Sequence, residues 1–254
     1  MRNYLAFMRK ELIEGIRNYK AIILIAVFVI FGIMNPLFAK LMPELLSSLG
    51  GDGFAIQVPD PTALDSWTQF FKNVSQMGFL VLLILYSGMI SSEISKGTLI
   101  NMLTKGLSRT TVILAKYSML ILTWTLSYAL CLLVTWGYTV YLFPDNNADN
   151  LVFAVVILWL FGVLLISIQT LAAASTKSNY ACLLATGAAI VVMFVVSIVP
   201  AAHNYNPLSL ATDSSALMAS ALNPSDLISA IVISVALSLA CLVAAILVFR
   251  KRQL

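Results

Sequence analysis

The side chains that most often carry out catalysis are scarce in this 254-residue chain. It has one histidine, His203, and three cysteines, all in long apolar segments. Metal and hydrolytic sites need several reactive groups at fixed spacings, and neither His-Glu-x-x-His nor Gly-x-Ser-x-Gly occurs. We therefore expect no catalytic residue, no metal site and no cofactor site, and we expect the cysteines to be packing residues.

Segment 91–109 has the most informative pattern. Leu99, Met102 and Leu103 are spaced i, i+3 and i+4 between two glycines, so one helical turn would present a compact apolar surface. The glycines would let the backbone turn sharply at both ends. Such a surface could insert into a groove on a partner. A basic loop resting on lipid head groups explains the same residues equally well.

Long apolar stretches surround this segment. Only 10% of the residues are charged and 60% are hydrophobic, whereas roughly 25% are charged in soluble domains. Six stretches of 18 or more residues carry no charge, and about 20 helical residues cross a bilayer core. The sequence therefore predicts an all-α membrane protein with a single transmembrane domain, 1–254. The six predicted spans are at about 21–39, 74–90, 117–143, 151–174, 180–200 and 227–249.

The basic residues are distributed unevenly around these spans. With the amino terminus in the cytoplasm, 13 of the 15 Lys and Arg residues fall inside, and only Lys40 and Lys72 fall outside. This asymmetry predicts a multi-pass protein of the cell membrane with both termini cytoplasmic. The positive charge sits at helix ends next to lipid, so we do not expect nucleic-acid binding. Since the predicted spans hold no acidic or basic side chain, an ion-coupled transporter is not expected either.

Three segments outside the spans have patterns of their own. Residues 1–20 predict an amphipathic helix lying in the cytoplasmic interface. Its apolar face consists of Leu5, Met8, Leu12, Ile16 and Tyr19. Gly and Pro residues at 50–53 and 59–61 break the external segment after the first span, and Trp67 and Phe70 predict a short helix at the outer lipid interface. Polar residues after Pro200 predict short external or re-entrant helices over 201–226.

The chain resembles the ABC transporter permeases of the type-2 exporter family in the loop between spans two and three. The shared pattern is Glu93-x-x-x-Gly97-Thr98-Leu99-x-x-x-Leu103-Thr104-x-x-x-Ser108-Arg109, followed by Lys116. The resemblance extends to the amphipathic leader, the six spans, the cytoplasmic termini and the broken external segment, so it covers nearly the whole chain. Many members have proline where this chain has Gly106, which leaves the end of the loop helix less firmly defined here.

The resemblance implies an assembly. Two permease chains, identical or paralogous, pair with two ABC ATP-binding subunits that carry ATP and Mg²⁺, and the loop after span two is the coupling helix seated on the ATPase. The coupling interface it implies consists of Glu93, Lys96, Gly97, Thr98, Leu99, Met102, Leu103, Thr104, Ser108 and Arg109. Leu99, Met102 and Leu103 would make the mechanical contact. Glu93 and Arg109 would orient it.

These expectations describe the membrane-spanning permease subunit of an ATP-driven exporter. The chain has no P-loop of its own, so ATP would be hydrolysed by the partner subunit. Charge-free walls suit a hydrophobic or amphipathic cargo, with an antimicrobial peptide or a drug as first choice and a lipid as a further candidate. The alternative is a non-transporting membrane scaffold or sensor subunit that binds a regulatory partner through the 91–109 loop. The shortage of reactive side chains disfavours a lipid-modifying enzyme.

Overall fold

The regular secondary structure of the described residues is helical. The computed structural model describes residues 2–49, 60–104, 106–144, 149–218 and 220–252. Within these ranges, six helical segments are long and apolar enough to cross a membrane: Lys20–Pro43, Ala63–Ser95, Arg109–Leu142, Leu151–Ser175, Asn179–Ser197 and Pro224–Lys251. The predicted all-α architecture with six such segments is confirmed at this level. The breakers predicted at 50–53 and at 59 lie outside the described residues.

Short helices and turns connect and interrupt the spans. In chain order the helices are α1 (Arg2–Arg17), α2 (Lys20–Leu49), α3 (Ala63–Asn73), α4 (Phe79–Tyr86), α5 (Ser91–Ser95), α6 (Thr98–Thr104), α7 (Arg109–Leu142), α8 (Leu151–Ser175), α9 (Asn179–Ser197), α10 (Pro200–His203), α11 (Ser209–Thr212), α12 (Ser214–Met218) and α13 (Ile228–Lys251). A π-helical turn, Val74–Gly78, joins α3 to α4, and a 3-10 turn, Pro224–Leu227, precedes α13. Short helices therefore do occupy much of the 201–226 region.

Two spans extend well beyond the charge-free stretches that predicted them. α2 contains Pro36 and continues past residue 39, through Pro43, to Leu49. α7 begins at Arg109 instead of 117, where the Ser108 side chain accepts a hydrogen bond from the backbone N–H of Thr111 at 3.1 Å and caps the helix. Hydropathy misses the extension of α7 because Arg109 and Lys116, which interrupt its apolar pattern, are paired within the protein.

The second span differs most from the prediction. α3, the π-helical turn and α4 form one continuous helix, so the span begins at Ala63 instead of 74. Trp67 and Phe70 were predicted at the lipid interface, but both are completely buried. An aromatic stripe at helical spacing suits an interfacial helix and a packed helix equally well, and in this chain the stripe packs against the other helices.

Aromatic side chains from three spans fill the centre of the bundle. The Trp124 ring of α7 lies 5.6 Å from the ring centroid of Phe28 in α2 and 5.4 Å from that of Phe79 in α4. The same indole packs directly on Gly162 of α8, where an added Cβ would lie 2.4 Å from its Cε2 and Cζ2 atoms. The contact between α7 and α8 therefore requires a residue without a side chain at 162.

Candidate functional site

α6 is held between two glycines with left-handed backbone. Gly97 has φ of 68° and Gly106 has φ of 90°, a region that costs other residues about 1–2 kcal/mol. The sharp turns predicted at these two glycines are thus present. They separate α6 from α5 on one side and from the start of α7 on the other.

Hydrogen bonds define where α5 and α6 end. The backbone N–H of Leu107 donates to the carbonyl of Met102 at 3.2 Å and that of Gly106 donates to Leu103 at 3.0 Å, the pair of bonds that forms a Schellman motif. The end of α6 is therefore well defined without a proline at 106. At the end of α5, the Thr98 hydroxyl donates to the carbonyl of Glu93 at 3.2 Å.

We expect Gly106→Ala to destabilise the end of α6 by about 1–2 kcal/mol, because alanine is strained at a φ of 90°. Gly106→Pro should have a larger effect, since the proline ring fixes φ near −65°. Hydrogen exchange of the α6 amides measures the loss of protection. Gly187→Ala in α9 is the matched control, because its Cβ would meet nothing within 4 Å. If hydrogen exchange of the α6 amides is unchanged in Gly106→Ala, the left-handed turn at Gly106 does not stabilise the end of α6.

α6 turns its most apolar side toward this chain. Leu99 is fully buried, and Met102 and Leu103 are partly buried against the core. The i, i+3, i+4 spacing, which suggested a surface for a partner, serves packing within the chain instead. The residues of α6 that are exposed are Thr98, Ile100, Asn101 and Thr104.

A groove lies on each side of α6. One has a volume of about 490 Å³ and is lined by Ile100, Leu103 and the start of α7. The other, of about 550 Å³, separates α6 from α1 and is lined by Arg17, Lys96 and Thr98 among others. The exposed part of α6 is therefore a small, mainly polar ridge between two clefts, with Ile100 as its largest apolar side chain.

A cluster of charged side chains lies next to α5 and α6. We call it the charge cluster, and its members are Lys10, Glu11, Glu14, Glu93 and Lys116. Lys116 in α7 is 4% exposed and Glu93 in α5 is 5% exposed. The Nζ atom of Lys116 lies 3.0 Å from Glu93 and 2.9 Å from Glu11 of α1. The cluster therefore connects three helices that are far apart in sequence.

Lys10 completes the charge cluster. Its Nζ atom pairs with Glu93, with Glu11 at 2.9 Å and with Glu14 at 2.6 Å. Burial alone would lower the pKa of Lys10, but hydrogen bonds to Glu14 and Glu93 outweigh it and raise that pKa above its usual value. The three carboxylates lie close enough together to hold a metal ion. The two lysine ammonium groups already contact all three, so side-chain cations neutralise most of the acidic charge.

Arg109 attaches the start of α7 to the end of the last span. Its guanidinium donates to the backbone carbonyl of Phe249 at 3.1 Å and to that of Arg252. Arg252 in turn donates to the carbonyls of Ala173 and Ala174, at the end of α8. Helix C-termini leave carbonyls without partners, and cations stabilise them. We call the end of the bundle that carries the charge cluster, Arg109 and Arg252 the basic end.

The ten residues predicted as a coupling interface thus lie close together, in different surroundings. Glu93 belongs to the charge cluster, Arg109 contacts α13, and Ser108 caps α7. Lys96 and Thr104 are exposed. Sequence reasoning missed Lys10, Glu11 and Glu14 as members of the site. Two acidic residues inside an otherwise basic leader were the signal that could have pointed to them.

No match was found among models of known protein families or among curated proteins. The resemblance to the ABC permeases therefore still depends on the loop pattern and the arrangement of spans.

The interactions at the basic end connect helices that are far apart in sequence. The side chains of the charge cluster pair with one another, and Arg109 and Arg252 donate to helix ends. His203 lies in the region of short helices before the last span, where its Nε2 atom is 2.7 Å from Asp213. Neither residue contacts the charge cluster in the described ranges.

Proposed function

We propose that this chain is the membrane-spanning permease subunit of an ATP-driven exporter, with α6 as its coupling helix on a separate ATP-binding subunit. The observation that carries the proposal is the setting of α6. It is a short helix fixed by two left-handed glycines, it exposes a ridge between two grooves, and it joins the ends of two spans. A partner seated on that ridge can act on both spans at once.

The charge cluster supplies a route from α6 to the spans. Glu93 precedes α6 by one helical turn and is tied to Lys116 of α7 and to Lys10 of α1. Buried charges hold their partners tightly, because separating them leaves an unpaired charge away from water. A push on α6 is therefore transmitted to α1, the second span and α7 together. ATP binding would shift the spans between inward-open and outward-open states by favouring one of them.

In this proposal the basic end faces the cytoplasm of a cell membrane, with both termini on that side. α1 is then the interfacial helix. It packs on the bundle through Phe7, which is 5% exposed, and leaves Leu5 and Ile16 exposed toward lipid. Two permease chains would assemble with two ATP-binding subunits. The cargo would be hydrophobic or amphipathic, because the spans offer mainly apolar walls.

The proposal predicts that Ile100→Glu separates the chain from its ATP-binding partner. A new charge at the apolar point of the ridge opposes burial against a partner, while Ile100 is 38% exposed and its replacement should leave the fold intact. Affinity purification of the tagged chain from native membranes, followed by assay of bound ATPase activity, measures the effect. We expect about a tenfold loss, as removal of a well-buried contact gives.

Tyr205→Glu is the control for this experiment. Tyr205 is 58% exposed and lies in the region of short helices near α10, away from the charge cluster. The Tyr205→Glu variant should retain the ATP-binding partner and the bound ATPase activity. If the unmodified chain instead recovers a partner with no nucleotide-binding motif, and Ile100→Glu loses it, the result would support the scaffold or sensor alternative.

A further inference from the structure

A cavity of about 440 Å³ opens away from the basic end. It lies between the second span, α8, α9 and the short helices α11 and α12. Its volume falls within the range of about 300–1,000 Å³ that is usual for small-molecule sites. The coupling role proposed above makes no use of it.

The polar residues that line this cavity lie toward one end of it, beside some of the apolar ones. Lys72 and Thr212 line it and are exposed. Phe79 lies seven residues further along the second span, roughly 10 Å deeper at 1.5 Å per residue. Its ring contacts that of Phe161 with a centroid distance of 5.4 Å, and Leu165 lines the cavity beside them. The cavity therefore has one cationic side chain and several polar ones near its mouth, and its deep end is apolar.

The π-helical turn Val74–Gly78 forms part of the cavity wall between these two levels. Ser75 and Gln76 of this turn line the cavity. π-helical turns are uncommon and occur frequently at functional sites. Gln76 is exposed within this turn, so its amide is available to a ligand in the cavity.

We propose that this cavity binds one membrane lipid with an anionic head group. The Lys72 ammonium pairs with the phosphate, and the Gln76 amide donates a hydrogen bond to the head group. One acyl chain lies deeper, against Phe79 and Phe161. Zwitterionic head groups carry a cation that Lys72 repels, so the site prefers a lipid with net negative charge. Binding requires neither ATP nor a partner subunit. Failure of this proposal would therefore not affect the exporter proposal, and failure of the exporter proposal would not affect this one.

Photolabelling in vesicles tests the site. The full chain is reconstituted in phosphatidylcholine vesicles with a small fraction of phosphatidylglycerol that carries a diazirine on its acyl chain, and labelled peptides are identified by mass spectrometry. We expect labelling at peptides that contain Phe79 or Phe161. Lys72→Gln should reduce it about fivefold, the effect of one lysine on an anionic lipid. Thr212→Trp, which places an indole across the cavity, should reduce it at least as much.

Two controls make the result decisive. Lys40→Gln removes the charge of another exposed lysine, in α2, which does not line the cavity, and it should label like the unmodified chain. Phosphatidylcholine with the same diazirine chain should label these peptides weakly. Equal labelling by the two lipids, or labelling unaffected by Lys72→Gln or by Thr212→Trp in protein that unfolds at an unchanged temperature, would overturn the proposal.

Discussion

Replacing Lys116 with methionine is expected to lower the free energy of unfolding by about 3 kcal/mol, the lower part of the range for breaking a buried ion pair. Lys116 is almost fully buried and lies within 3.0 Å of both Glu93 and Glu11. Without it, Lys10 alone must neutralise three carboxylates. Chemical unfolding of the purified protein in detergent micelles measures the change.

The double variant Lys116→Met/Glu93→Gln separates charge pairing from packing. It removes one charge of each sign, so it should be more stable than Lys116→Met alone, although it carries an additional substitution. Lys96→Met, at an exposed lysine close to α6, should change stability by less than about 0.5 kcal/mol. If the stability loss of the double variant equals the sum of the losses of Lys116→Met and Glu93→Gln, the charge cluster does not hold these helices together as described.

Replacing Gly162 with leucine is expected to destabilise the bundle by about 3 kcal/mol or more. Its Cβ alone would lie 2.4 Å from two atoms of the Trp124 indole, and the rest of the side chain would force α7 and α8 apart. The indole cannot easily move, because its Nε1–H donates to the carbonyl of Trp159 at 3.2 Å. The shift in thermal unfolding temperature reports the effect.

Gly137→Leu is the control for this substitution. Gly137 lies in α7 and is exposed, and a Cβ added there meets nothing within 4 Å. Leucine at this position should be tolerated and should favour the helix, since glycine is a poor helix former. Similar losses in the two variants would show that leucine disturbs these helices generally, and that the contact between Trp124 and Gly162 is not special.

Local sequence patterns were enough to predict six spans and the glycine turns, although not the bounds of every span. Charge-free length depends only on neighbouring residues, which is why α8 and α9 begin within one residue of their predicted starts at 151 and 180. The turns at Gly97 and Gly106 are equally local, because glycine is the residue that adopts a positive φ without strain.

The charge cluster could not be predicted in this way. Lys116 is separated from Glu11 by 105 residues and Lys10 is separated from Glu93 by 83, so their pairing depends on how the helices pack. The orientation of α6 is a similar case. The spacing of Leu99 and its neighbours predicts an apolar face, but not whether that face contacts a partner or, as here, the chain itself.

Crosslinking from α6 tests whether this helix seats an ATP-binding subunit. A photoactivatable amino acid replaces the exposed Thr104, the chain is expressed in its native host, and crosslinked proteins are identified by mass spectrometry. We expect a single main product, a subunit with a P-loop, whose yield changes when ATP is added to the membranes. Crosslinks only to lipid, or to a protein without a nucleotide-binding motif, would contradict it.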